Sequence, residues 1–101
     1  MFRLTVTYPA KDGGHFDFDY YRDKHIPMVE KYIGSDVERS EISKGIAGAG
    51  DGGAPYTCIG QIYLKSLDGF GAAMEQHAGE IMGDVPNYTN IEPIVQIEEL
   101  V

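Results

Sequence analysis

The apolar residues of the first third of the chain change period once, and that change restricts the fold to one that lays helices on a sheet. Phe2, Leu4, Val6 and Tyr8 alternate with Arg3, Thr5 and Thr7. A period of two is that of a strand with one apolar face, and Pro9 stops it by removing a ladder donor. Lys11-Asp12-Gly13-Gly14 is a turn. From there the spacing becomes helical: Asp17, Tyr21, His25, Val29 and Tyr32 share one stripe, flanked by Met28 and Ile33. Asp17 serves as the helix cap and Gly34 closes the helix after Ile33.

The two periods then repeat. Val37 to Ile46 alternates weakly and carries charges, as an edge strand does, and Gly48 to Pro55 is a flexible loop. Tyr56 to Lys65 alternates again and is rich in β-forming residues. Ser66 or Asp68 caps a second helix with the stripe Phe70, Ala73, Met74, His77, Ala78 and Ile81. A turn-rich connection, Asp84 to Asn90, leads into a final strand, Ile91 to Val101, with Pro93 near its start. The order β-α-β-β-α-β is the split βαβ pattern, an α+β fold in which right-handed crossovers put both helices on one face of a four-stranded antiparallel sheet. The opposite face holds Thr5, Thr7, Ile59, Gln61, Tyr63, Ile94, Gln96 and Leu100. So mixed a surface is too apolar to face water, and the expected cover is a second copy of the chain, giving a homodimer with its sheets face to face.

With 101 residues the chain is expected to form one domain, residues 1–101, burying roughly 65% of its unfolded surface. The single cysteine, Cys58, excludes an internal disulfide and sits in an apolar run, which predicts a buried thiol in a reducing compartment. No signal peptide and no membrane-spanning run is legible, so the expected location is cytoplasmic. A net charge of −8, with eight scattered basic residues, argues against nucleic acid and leaves a small-molecule or protein partner. Gly48-Ala49-Gly50-Asp51-Gly52-Gly53 spells the dinucleotide fingerprint, but Pro55 and a strand follow where the motif needs a helix. His15, Asp17, Asp19, His25 and His77 show no metal-ligand spacing. A haem on a single histidine needs no motif and remains open on that ground alone, while the expected cofactor complement is none.

Tyr20 to Val29 carries the chemical interest. His25 points to the apolar side of its helix, two residues before Pro27, whose ring and missing N–H deprive the Asp23 carbonyl of its usual partner. Spacing leaves two readings open, a packed core histidine beside a kink and a working imidazole. Asp17 and Tyr21 lie two turns and one turn before His25, where a carboxylate and a phenol can orient it. His77 interrupts the second helix's stripe in the same way, and two helices on one sheet face can bring both imidazoles to a common cleft. Tyr8 ends its strand beside the entry to the first helix, and Asp84, Asn87, Tyr88 and Thr89 form a polar turn.

Tyr8-Pro9, Gly13 or Gly14, Phe16-Asp17, Tyr20-Tyr21, His25-Ile26-Pro27-Met28, Asp51-Gly52 with Pro55-Tyr56, and Asp84-Val85-Pro86-Asn87-Tyr88-Thr89 together resemble the EthD family of small dimeric α/β-barrel proteins. The resemblance runs almost end to end and is most specific through Met28. It implies a ferredoxin-like barrel dimer. It also implies a cleft containing Tyr8, Asp17 and His25, joined by Asp84, Asn87 and Tyr88. The family is associated with ethyl tert-butyl ether degradation and, in fungal relatives, with decarboxylation or dehydration of polyketide-like intermediates. The expectation is therefore a cofactor-independent acid/base enzyme acting on a small hydrophobic catabolite, with a non-catalytic binding or accessory protein as the alternative. The expected catalytic set is His25, Asp17 and Tyr8, and the expected substrate contacts are Tyr21, His77, Asp84, Asn87 and Tyr88.

Overall fold

In the computed structural model, which describes all of residues 1–101, four strands form one antiparallel sheet: β1 (Phe2–Pro9), β2 (Val37–Lys44), β3 (Tyr56–Leu64) and β4 (Ile94–Glu99). Their order across the sheet is β2-β3-β1-β4, so the two strands with the clearest alternation occupy its centre. Helical segments follow β1 and β3, giving the split βαβ, ferredoxin-like arrangement. Each expected strand forms, with ends trimmed: β2 stops at Lys44, and β4 begins only at Ile94, after Pro93. No helix is long and apolar enough to cross a membrane.

Register decides which residues face the helices. Leu4 lies opposite Ile62 and Tyr8 opposite Cys58, so the even positions of β1 and β3 share one face. Leu4, Tyr8, Cys58, Ile62 and Leu64 from that face are buried together with Ile26, Val29 and Ile33 of the first helical region and Ala73 and Ile81 of the second helix (Asp68–Gly83). Full burial of each large side chain contributes about 1.5–3 kcal/mol.

The first helical region is not a kinked α-helix. It runs as a short α-segment (Phe18–Tyr20), a π-helical turn (Tyr21–His25) and an α-helix (Ile26–Ile33). Asp17 caps it by accepting from the Tyr20 amide at 3.0 Å, and Gly34, at φ 87°, ends it. Pro27 therefore stands in the first turn of the last segment, where its missing N–H and fixed φ are tolerated. The widened turn takes the place of the expected kink.

The open face departs from expectation in its chemistry. Thr5, Thr7, Ile59, Gln61 and Tyr63 share it as predicted, but so do Arg3 and Glu98, whose side chains bond across β1 and β4. Glu98 also accepts from Thr5, Tyr63 donates to Glu41 at 3.0 Å, and the Arg39 guanidinium lies 3.9 Å over the Tyr63 ring. The centre of the face is thus a charged network, with Ile94 and Leu100 exposed at its edge. The alternation within each strand hides this, because Arg3 and Glu98 meet only across the sheet.

Candidate functional site

Two distant segments are stitched together at the end of the sheet. The Asp17 amide donates to the Tyr88 carbonyl at 2.8 Å, the Thr89 hydroxyl donates to the His15 carbonyl at 2.6 Å, and Phe16 and Thr89 form a β-bridge. These bonds hold the start of the first helical region against the turn after the second helix, where Val85–Asn87 forms one 3-10 turn. The turn swings Asp84 under the π-helical residues.

There the His25 ring, with a side chain only 6% exposed, donates from Nδ1 to Asp84 Oδ2 at 2.8 Å. The other carboxylate oxygen, Oδ1, accepts from the Tyr20 hydroxyl at 2.7 Å and from the Asn87 amide at 2.9 Å. Burial is the largest influence on His25 and lowers its pKa, and the neighbouring Asp84 only partly offsets it. For Asp84, burial acts upward, but bonds from Tyr20, Asn87 and His25 together hold the carboxyl below its ordinary range. At neutral pH the stable pair is a carboxylate and a neutral imidazole protonated on Nδ1. Nε2 then carries the lone pair and makes no hydrogen bond within the chain.

His25 lines a cavity of about 80 Å³ between the sheet and the helices, whose walls are otherwise almost entirely apolar: Leu4, Val6, Ile62, Phe70, Met74 and their neighbours. Tyr8 and Tyr88 also line it, their hydroxyls 2.7 Å apart. Tyr21 bonds Tyr8 as well, so the one hydroxyl hydrogen left to donate belongs to a cluster of three phenols and not to the Tyr8 and Tyr88 pair alone. Burial, the leading cause at both, pushes their pKa values far up, so both remain protonated donors. Tyr21 stacks on the imidazole, ring centroids 5.5 Å apart and planes within 14°. Its hydroxyl end rests where Gly60 has no side chain: a Cβ there would stand 2.1 Å from the oxygen. Met82 and Val95, both exposed, mark the cavity mouth. A shallow groove of about 520 Å³ continues outward, sharing Met82, Val85 and Pro93 and adding His15, Asn90 and Glu92.

The structure brings together His25, Tyr8, Tyr21, Asp84, Asn87 and Tyr88 from the expected set. It leaves out two. Asp17 is the helix cap and does not touch His25; the carboxylate behind the imidazole is Asp84. His77 stacks on Tyr32 at 3.9 Å and bonds Glu80 at 2.7 Å, at the seam between the helices and outside the cavity. Tyr20, absent from the expected set, belongs to the cluster through Asp84. No group of three or more His, Cys, Asp or Glu side chains is placed to hold a metal ion.

A family model described as the EthD domain matches residues 15–92. Among solved structures, an EthD-like protein from Ralstonia eutropha is 40% identical, with a TM-score of 0.90 over 99% of this chain and 91% of that one. An ethyl tert-butyl ether d (EthD) family protein from Bacillus halodurans is 18% identical, with a TM-score of 0.65 over 100% of this chain and 99% of that one. A DABB family protein with a ferredoxin-like fold from Mesorhizobium loti is 12% identical, with a TM-score of 0.59 over 99% of this chain and 96% of that one. The last two likenesses are of fold alone. No curated protein matches the chain. The chain belongs to the EthD family.

Proposed function

We propose that the chain is a cofactor-independent acid/base enzyme that moves a proton on a small, uncharged, largely apolar molecule bearing one oxygen acceptor. The observation that carries this reading is the His25–Asp84 pair, with Nδ1 engaged by the carboxylate and the ring lining an apolar cavity. Asp84 holds the tautomer, Nε2 takes the proton, and the unshared hydroxyl hydrogen of the Tyr8, Tyr21 and Tyr88 cluster donates to the substrate oxygen as negative charge develops on it. A pure carrier would use the same apolar walls but would need no carboxylate behind the histidine. The cavity is about half the ~150 Å³ that accommodates benzene, so it takes a reactive head while the rest of a larger substrate lies in the adjoining groove. Small oxygenated products of ether breakdown, the context that the resemblance to the EthD family implies, have this polarity. The working form we propose is a homodimer through the open sheet face, for which light scattering at micromolar concentration gives twice 11.1 kDa; a monomeric mass overturns it.

The test is α-hydrogen exchange of butanone in D₂O, followed by proton NMR. Wild type exchanges the ketone faster than buffer, and His25→Asn reduces the rate about 10²–10⁴-fold, the usual contribution of a positioned base. Asp17→Asn leaves it unchanged. Equal rates in wild type and His25→Asn, or no exchange above buffer in wild type, overturn the reading.

A further inference from the structure

Tyr20 and His25 are five residues apart, and on an uninterrupted α-helix such residues point about 140° away from each other. Across the π-helical turn the backbone closes from residue i to i+5, as the Ile26 amide does onto the Tyr21 carbonyl, so residues five apart return to the same side. Both side chains therefore meet one carboxylate, Tyr20 on Oδ1 at 2.7 Å and His25 on Oδ2 at 2.8 Å. A helix without the extra residue would present one or the other.

We propose that Tyr20 is a positioning residue that acts through Asp84, fixing the carboxylate against His25 and limiting how strongly it supports a proton on the imidazole. This deepens the acid/base reading and rests on it only for its kinetic consequence. The carboxylate has a fixed amount of charge to share among its donors. Each donor on Oδ1 makes Oδ2 a weaker partner for Nδ1, so the phenol keeps His25 neutral and Nε2 available. Asn87 is the other donor on Oδ1 and also lies 3.4 Å from the Tyr20 hydroxyl, completing a closed triangle. The remaining groups facing the imidazole are neutral: the Tyr21 ring from its own helical region, and Tyr88 from the turn with Tyr8 of β1 beyond it. Asp84 is the one ion-pair partner of His25, so a change in its charge has no competitor.

The experiment is an NMR titration of His25 in the full chain labelled with ¹⁵N-histidine, its signal assigned by the loss seen in His25→Asn. Tyr20→Phe removes the hydroxyl alone and is expected to raise the His25 pKa by about half a unit or more, and to shift the butanone-exchange profile to higher pH by the same amount. Tyr32→Phe, beside His77, leaves the His25 value as in wild type. A His25 pKa unchanged or lowered in folded Tyr20→Phe overturns the proposal. The titration needs no turnover, so it returns an answer even if butanone is not exchanged.

Discussion

Replacing Gly60 by alanine puts a methyl group where the Tyr21 phenol now lies. The new carbon would stand 2.1 Å from the hydroxyl, 3.1 Å from Cζ and 3.3 Å from Cε2. The phenol borders the cavity but is packed on its other sides. Its residue is 1% exposed, its ring stacks on His25, and Tyr8, Phe16 and Tyr88 contact it at centroid distances of 5.5, 5.0 and 5.0 Å. Overpacking of this kind costs about 1–3 kcal/mol, while removing a glycine from a strand returns about 0.5–1 kcal/mol. The net loss of up to about 2.5 kcal/mol corresponds to a Tm drop of up to roughly 20 °C in a chain of this size. Urea unfolding of wild type, Gly60→Ala, Tyr21→Phe and the double variant measures the clash itself. With the hydroxyl gone the nearest atom is Cζ, which needs to shift only by tenths of an ångström. The double variant is then more stable than the sum of the single losses by about 1 kcal/mol or more. Gly60→Ala more stable than wild type, or strict additivity with Tyr21→Phe, refutes the reasoning.

Acid weakens the fold in two stages. His25 has a folded pKa below its ordinary value, so its contribution is complete above pH ~6.5 and is lost as the pH falls below that; His25→Asn removes this first stage from a plot of Tm against pH, and an identical slope in the variant contradicts it. Glu98 is held at about 2, chiefly by its hydrogen bond from Arg3, so its contribution is present above its ordinary value and disappears between about pH 4.5 and 2; Arg3→Met flattens that second stage. Asp17→Ala costs about 1 kcal/mol, the ordinary worth of a cap, without moving the His25 titration; a moved titration would return Asp17 to the site. Cys58, fully buried with its thiol pushed up to about 12 by burial, stays unlabelled by a thiol reagent until the chain unfolds, and prompt labelling of native protein contradicts this.

Strands and helices were legible in the sequence because their periods are local properties: Phe2 to Tyr8 alternates whether or not β3 and β4 exist. The tertiary partners were not. Asp17 is eight residues from His25 and on its stripe, whereas Asp84 is 59 residues away, and only the bonds joining residues 15–17 to 88–90 bring it beneath the imidazole. The π-helical turn leaves almost no trace in the sequence because one extra residue barely disturbs a 3.6 period, with Pro27 as its single outward sign. Tyr20 fell off the α-helical stripe for the same reason: its contact with Asp84 depends on a spacing of five. His77 does lie on its helix's inner stripe, but that stripe spans both the cavity and the seam with the first helical region, and Tyr32 claims the imidazole there. Tyr88 stands in a polar stretch of sequence yet is 1% exposed, because the β-bridge at Thr89 folds it inward.

His25 stands at neutral pH as an uncharged imidazole protonated on Nδ1 toward Asp84, leaving Nε2 as the base. The ¹⁵N shifts and two-bond couplings of the His25 ring at pH 7 test it directly, in wild type and in Asp84→Leu. A protonated Nδ1 and an unprotonated Nε2 are expected in wild type, with that preference lost in the variant. A wild-type ring protonated on Nε2, or charged at both nitrogens, would contradict it.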